Sequence, residues 1–282
     1  MSVERPAPLT TVIRQYGLSA RKGLGQHFLL DPGITGRIAA AAGPLSGSDV
    51  IEIGPGPGGL TRALLASEAR QVYAVEKDPR CLQALADLAA AYPGRLTVIE
   101  GDALRLESWR LGSAPRKLVA NLPYNVGTPL LLAWLKALAE DPSCLDSLTL
   151  MFQKEVAQRL AAQPREPAYG RLSVISQWLC HVESCFDLPP GAFRPPPKVT
   201  SSVVRLTPRP APLMPVSLAS LERVTAAAFG QRRKMLRQSL KSLGGDPKAL
   251  LKAAGIDETR RAETLSIEAF CRLAETLDRP VA

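Results

Sequence analysis

Apolar residues along this chain follow two alternating patterns. Short runs of strand length occur at "DVIEIG" (49–54), "QVYAVEKD" (71–78), "RLTVIEGDA" (95–103), "KLVANLPY" (117–124) and "SLTLMFQKE" (147–155). Between most of them lie stretches such as "LTRALLASEA" and "TPLLLAWLKALAE", with apolar positions at helical spacing. Strands alternating with helices predict βαβ units and a mostly parallel sheet. A helical "RLSVISQWLC" follows, then strand-like "HVESCFDL" and "KVTSSVVRL", a hairpin that would add antiparallel strands at one sheet edge. Beyond the proline-rich "TPRPAPLMP" (207–215) the pattern is helical only, with Gly244, Gly245 and Gly255 as breaks. The expected division is therefore a domain at 1–207, with an N-terminal extension at 1–30, and a smaller helical domain at 208–282.

The 282 residues allow one large core plus a small second domain, at roughly 100–200 residues per domain. No apolar run approaches the roughly 18 residues that suggest a membrane span, and the N-terminus lacks a signal-peptide core. The expectation is a cytosolic, cytoplasmic protein with no membrane partner. An organellar transit segment is the alternative for the basic first thirty residues, although "GLGQHFLLDP" follows too soon for a long leader. Five cysteines with no CxxC pair point to reduced thiols. Two histidines, His27 and His181, leave few candidates for metal hydrolysis or Ser-His chemistry.

Charge changes this picture at one place. Residues 200–282 hold 14 basic and 8 acidic residues, so the tail carries +6 of the net +9. Within it, "FGQRRKMLRQSLK" (229–241) brings Arg232, Arg233, Lys234, Arg237 and Lys241 together without an acid. Read as one helix, it places Arg233 and Arg237 on a shared face toward a polyanion such as RNA; a solvated helix face is the alternative.

The first chemical motif is "EIGPGPGGLT" (52–61), a glycine-rich turn after the first strand. Gly54, Gly56 and Gly59 satisfy G-x-G-x-x-G, and Glu76 follows the second strand, so the letters alone also fit a dinucleotide fold. Glu52 suits a cation, such as the amino group of S-adenosylmethionine, better than a pyrophosphate. Glu76 is placed for ribose hydroxyls, and Asp102 in "EGDA" for an adenine amino group; the alternative is that both are only helix-capping or loop acids.

These segments, with "KGLGQHFLLD" (22–31), "NLPY" (121–124), "FQKEVAQRL" (152–160), "YGRLSV" (169–174), "FRPPPKVTSSVVRL" (193–206) and "FGQRRKMLRQSL" (229–240), resemble the KsgA family of ribosomal RNA adenine dimethyltransferases across nearly the whole chain. The resemblance implies an α/β fold: a Rossmann-like class I methyltransferase sheet, mostly parallel with an antiparallel edge strand, and a small all-helical C-terminal domain. It implies S-adenosyl-L-methionine as cofactor and transfer of two methyl groups to N6 of each of two adjacent adenines near the 3′ end of small-subunit (16S) rRNA. Carried over by motif, His27 and Leu29 touch the cofactor, Gly54 lines its amino-acid end, Glu76 its ribose and Asp102 its adenine. One departure shows: many relatives carry asparagine where this chain has His27.

The tetrad Asn121-Leu122-Pro123-Tyr124 has a physical reading within that reaction. Adenine N6 is a poor nucleophile because its lone pair is delocalised into the ring. The side-chain oxygen of Asn121 and the backbone carbonyl of Leu122 would hold the two N6 hydrogens. Pro123 restricts Leu122 to extended geometry, and such fixed dipoles act without reorganising. Tyr124 offers a flat face to an extruded base, and Phe193 is expected to close the other face. A turn that only ends a strand is the competing reading. Cys180, His181 and Cys185 lack a fourth ligand and read as structural, so no metal is expected; Leu130, Leu131, Trp134 and Leu135 read as core.

The expected partner is the rRNA of the small ribosomal subunit within a pre-30S particle, bound by a monomer. Rival functions are a ribosome-assembly factor with dispensable catalysis and an adenine methyltransferase of the macrolide-resistance type acting on large-subunit rRNA. An oxidoreductase is a distant third.

Overall fold

The computed structural model describes residues 6–20 and 25–279. Helix α1 (Leu9–Gln15) precedes a two-residue strand β1 (Phe28–Leu29) and helix α2 (Pro32–Ala41). Asp31 accepts from the amides of Gly33 and Ile34 at 2.7 and 3.3 Å and Pro32 takes the first helical position, so this helix start is set locally. Then come β2 (Asp49–Ile53), α3 (Gly59–Leu65), β3 (Gln71–Glu76), α4 (Pro79–Ala91), β4 (Leu96–Glu100), β5 (Arg116–Asn121), α5 (Gly127–Glu140) and β6 (Ser147–Gln153), the alternation expected from the sequence.

Helices α6 (Lys154–Ala161) and α7 (Arg171–Leu179) lead to β7 (Cys180–Leu188), the two-residue β8 (Phe193–Arg194) and β9 (Ser201–Pro208). The large sheet has the order β4-β3-β2-β5-β6-β9-β7. Pairs β3–β4, β2–β3, β2–β5 and β5–β6 are parallel, and β9 runs antiparallel to β6, with Leu148 opposite Leu206 and Gln153 opposite Ser201. Every residue of β2 is buried, as for a parallel strand covered on both faces. The strand order reverses between β2 and β5, so the crevice where such sheets bind ligands opens at their carboxyl ends.

One core cluster packs Ile38 of α2 and Leu60 and Leu64 of α3 against Val50, Val72 and Val119 of the sheet. Leu130, Leu131, Trp134 and Leu135 of α5 are buried, as their spacing predicts; the Trp134 indole N–H finds the Ser108 hydroxyl at 3.0 Å. Outside this sheet, β1 pairs antiparallel with β8, Phe28 opposite Arg194 and Leu29 opposite Phe193. That small ladder joins residues more than 160 positions apart and has no signature in local hydrophobic pattern.

The chain divides into two compact units. The first holds the described residues through Ala157 together with Glu183–Thr207; the second holds Gln158–Val182 and the described residues from Pro208. Residues 158–182, expected with the first domain, group with the C-terminal helices. In this second unit, α8 (Leu218–Gly230), α9 (Leu236–Ser239), α10 (Pro247–Ala253) and α11 (Ile267–Asp278) are separated by turns. The Phe229 ring meets Tyr169 edge-on and Phe270 at a tilt, with ring centroids 5.9 and 5.4 Å away. The connector is anchored here as well: the Trp178 indole N–H donates to the Met214 carbonyl at 2.9 Å.

The expectation of a continuous helix over 229–241 is corrected. Helix α8 stops at Gly230, a turn follows, and only Leu236–Ser239 is α-helical before a 3-10 turn. Arg237 is drawn to Glu258 and the Leu236 amide donates to the Arg260 carbonyl at 2.7 Å, contacts that outweigh local helix preference.

Candidate functional site

A cavity opens at the carboxyl ends of β2, β3, β4 and β5. It is lined by the glycine turn, Glu52, Glu76, Asp102, the 121–124 tetrad and the segment from Gly25 to Leu29. Gly54 is left-handed at φ 68° and its amide donates to the Val75 carbonyl at 2.9 Å, which bends the chain off the sheet. At Gly59, the first residue of α3, a Cβ would lie 2.4 Å from the Leu29 carbonyl oxygen. Only glycine therefore lets the N-terminal segment pass close over the helix start.

Three carboxylates face this cavity in different states. Glu76 is buried; its Oε2 accepts from the Gly56 amide at 2.8 Å and its Oε1 from the Lys77 and Asp78 amides at 2.8 and 2.7 Å. Burial nevertheless holds its pKa above the ordinary value, with the amides opposing. Glu76 thus also fixes the turn that begins with Gly54. Glu52 is only 1% exposed, and its Oε2 has no hydrogen-bond partner among the described residues. Burial pushes its carboxyl up to about 8, with the charge of Glu76 adding to the effect. Asp102 is pulled the other way: Lys77 Nζ lies 2.7 Å from its Oδ2, and its Oδ1 accepts from the Leu104 amide at 3.1 Å.

The tetrad sits at the end of β5. Asn121 Nδ2 donates to the backbone carbonyl of His27 at 3.1 Å. This assigns the amide: its nitrogen is committed and Oδ1 is the free acceptor. The Leu122 carbonyl receives no hydrogen bond from the described residues, while Pro123 carries the next turn by accepting from the Val126 and Gly127 amides. Tyr124 is held by a 2.6 Å hydrogen bond between its hydroxyl and Ser201 Oγ, and burial raises its pKa. The His27 ring lies 5.5 Å from the Tyr124 ring, and its Nδ1 sits 2.8 Å from the Pro195 carbonyl oxygen.

Phe193 departs from its expected place. It is fully buried in the core cluster of the first unit and is absent from the cavity lining, so it offers no open face to a base. It packs edge-to-face with His27, ring centroids 6.5 Å apart at 80°. The remaining expected cofactor contacts, His27, Leu29 and Gly54, all line the cavity.

The cationic segment is sorted by its contacts. Arg232 donates to the Tyr169 and Glu166 carbonyls and lies 3.4 Å from Glu263, and Arg237 pairs with Glu258 at 2.8 Å. These two arginines hold the second unit together. Arg233 and Lys234 are exposed, and their side chains make no hydrogen bond or ion pair among the described residues. Arg21 and Lys22, basic residues just ahead of "GLGQHFLLDP", lie outside the described residues. His181 Nε2 lies 3.0 Å from the Arg209 guanidinium, and among the described residues no group of three or more His, Cys, Asp or Glu is placed to hold a metal.

Sequence reasoning missed Lys77, Ser201 and the Pro195 carbonyl as partners of site residues. Each contact except that of Lys77 spans many tens of residues, and no periodicity carries that information.

The family described as "Ribosomal RNA adenine dimethylase" matches residues 17–279. "Ribosomal RNA small subunit methyltransferase A" of Rhodospirillum rubrum is 59% identical over 271 residues, covering 96% of this chain and 92% of that protein. The protein of that name in Xanthobacter autotrophicus is 60% identical over 270 residues, covering 95% and 93%. Among solved structures, a dimethyladenosine transferase from Plasmodium falciparum superposes with TM-score 0.75 at 26% identity over 88% of this chain and 96% of that one. The 23S rRNA methyltransferase ErmE superposes with TM-score 0.65 at 30% identity, over 89% and 100%.

Proposed function

The chain belongs to the ribosomal RNA adenine dimethylase family, and on that premise we propose how its own residues carry out adenine methylation. It is an S-adenosylmethionine-dependent methyltransferase of small-subunit rRNA. The finer reading is that it dimethylates N6 of two adjacent adenines near the 3′ end of 16S rRNA, in the cytoplasm, as a monomer acting on a pre-30S particle without a metal. The identity of 59–60% to small-subunit enzymes, against 30% to ErmE, favours this substrate over large-subunit rRNA.

The cavity fits the methyl donor. Glu52 Oε2 is a buried acceptor without a partner among the described residues, which suits an ammonium group, and the left-handed Gly54 leaves room where a side chain would stand. Gly54 and Glu52 would hold the amino-acid end, Glu76 the ribose hydroxyls, Asp102 the adenine amino group, and His27 and Leu29 the near wall. The bound donor supplies an electrophilic methyl group on a sulfonium.

The observation that carries the reading is the orientation of Asn121. With Nδ2 given to His27, Oδ1 and the Leu122 carbonyl form a pair of acceptors for the two N6 hydrogens. They favour the pyramidal nitrogen that develops in the transition state, and both are fixed before the substrate arrives. Tyr124, pinned through Ser201, supplies the face for an extruded base.

Calorimetry tests the cofactor assignment and subunit methylation tests the substrate. S-adenosylmethionine should bind and NAD should not, and Glu76→Ala should weaken binding by about 1–3 kcal/mol. Labelled methyl should enter unmethylated small subunits and not large ones; label in large subunits alone would overturn the substrate assignment.

A further inference from the structure

Two arginines of the second unit stand where local backbone preference opposes them. Arg165 is left-handed at φ 78°, the one non-glycine residue in that region among the described residues, although a side chain there crowds the following carbonyl. Arg171 is the first residue of α7, where the aligned peptide dipoles leave partial positive charge and a cation is disfavoured. Both side chains are exposed and make no hydrogen bond or ion pair among the described residues. Stability explains neither.

The loop that carries them is held in place by other groups. The Arg165 amide donates to the Glu263 carbonyl at 2.7 Å, the Tyr169 amide to the Glu166 carbonyl at 3.1 Å, and Gln163 Nε2 to Gln177 Oε1 at 3.1 Å. Arg232 reaches across from the turn after α8: its guanidinium donates to the Tyr169 carbonyl at 2.7 Å and to that of Glu166 at 3.3 Å, and it meets Glu263 at 3.4 Å. Arg232 therefore joins residues 163–171 to the turn that bears Arg233 and Lys234, which are exposed as well. The nearby acids are committed, Glu263 to Arg232 and Glu166 Oε2 to the Gln163 amide at 2.8 Å. Exposed cations thus lie on two segments that a further arginine holds together.

We propose that loop 163–171 is a phosphate-binding surface for small-subunit rRNA, on which Arg165 and Arg171 extend the contact made by Arg233 and Lys234; the proposal rests on the rRNA-methylation reading above. A guanidinium presents a planar fork of donors that matches two phosphate oxygens. Contacts of this kind fix the orientation of the RNA and carry no base identity. A loop fixed beforehand loses little freedom on binding. Neither arginine belongs to the lining of the cofactor cavity, so both should govern how tightly subunits bind and leave the chemical step alone.

Titration against small subunits at several salt concentrations tests this surface. Arg165→Gln and Arg171→Gln should each lower the slope of log affinity against log salt by about 1, and the double variant by about 2. Arg165→Lys and Arg171→Lys keep the charge and should keep the wild-type slope. Single-turnover methylation at saturating subunits and donor should match wild type in all of them. Arg165→Gly separates binding from folding: it relieves the left-handed backbone, so it should melt at or above the wild-type temperature while losing the same part of the slope. Glutamine variants with the wild-type slope overturn the proposal, as does a slope lost equally in the lysine variants or a lower rate at saturation. Failure of the wild-type protein to bind or methylate small subunits would instead sink the reading on which the proposal rests.

Discussion

Asn121 Nδ2 donates to the His27 backbone carbonyl across 94 positions of sequence, at 3.1 Å. The bond decides which end of the amide faces the substrate. Asn121→Ala removes the acceptor and should lower the single-turnover rate by roughly 100- to 1,000-fold, with little effect on affinity for small subunits. Asn121→Asp keeps an acceptor but places a carboxylate oxygen against the His27 carbonyl, so it should also be impaired. A single-turnover rate for Asn121→Ala equal to wild type would remove this residue from the mechanism.

Glu52 makes the free protein sensitive to pH. Its carboxyl titrates near 8 when folded, against an ordinary value of 4.5. Between those limits the folded state binds the extra proton, so this group's contribution to stability falls as pH rises from about 4.5 to about 8 and is flat above. Glu52→Gln should remove that slope. Melting temperatures measured across the window should show the variant gaining on wild type as pH rises; a constant difference would mean that Glu52 is ionised throughout.

Among the basic residues, exposure predicts function. Arg233→Ala should reduce the slope of log affinity against log salt for small subunits by about 1, as expected when one phosphate-bound cation is removed. Arg237→Ala should leave that slope unchanged and destabilise the second unit, because its partner is Glu258. Filter-binding titrations at several salt concentrations, with denaturant melts of both variants, separate the two roles.

Phe193 is expected to act through packing. Its truncation to alanine empties a fully buried site and should cost about 3–5 kcal/mol of stability. Phe193→Leu retains most of the volume and should restore stability and much of the activity, which loss of a stacking platform would not allow. Urea unfolding of both variants, set beside their turnover, provides the check.

The parallel sheet was legible in the sequence because its central strands are buried on both faces and its helices on one. The glycine turn and the three acids were legible because each lies at or just beyond the carboxyl end of a strand, where the fold puts side chains into the crevice. Phe193 was misplaced since an aromatic beside a proline run looks the same whether it faces a cavity or a core. The short β1–β8 ladder decides between them, and two-residue strands have no period. Residues 229–241 misled for the opposite reason: local helix preference was real, but contacts to Glu258, Glu263 and the Arg260 carbonyl override it. The orientation of Asn121 depends on a backbone carbonyl, which no residue pattern encodes.

The most direct measurement incubates the protein with S-adenosylmethionine and unmethylated small subunits, then maps the methyl groups on the rRNA by mass spectrometry of its fragments. The expected product is N6,N6-dimethyladenine at two adjacent positions near the 3′ end of 16S rRNA, lost when Asn121 is replaced by alanine. Methyl groups on another base, on another ring atom of adenine, or persisting at wild-type rate in the Asn121 variant would contradict the proposed reaction.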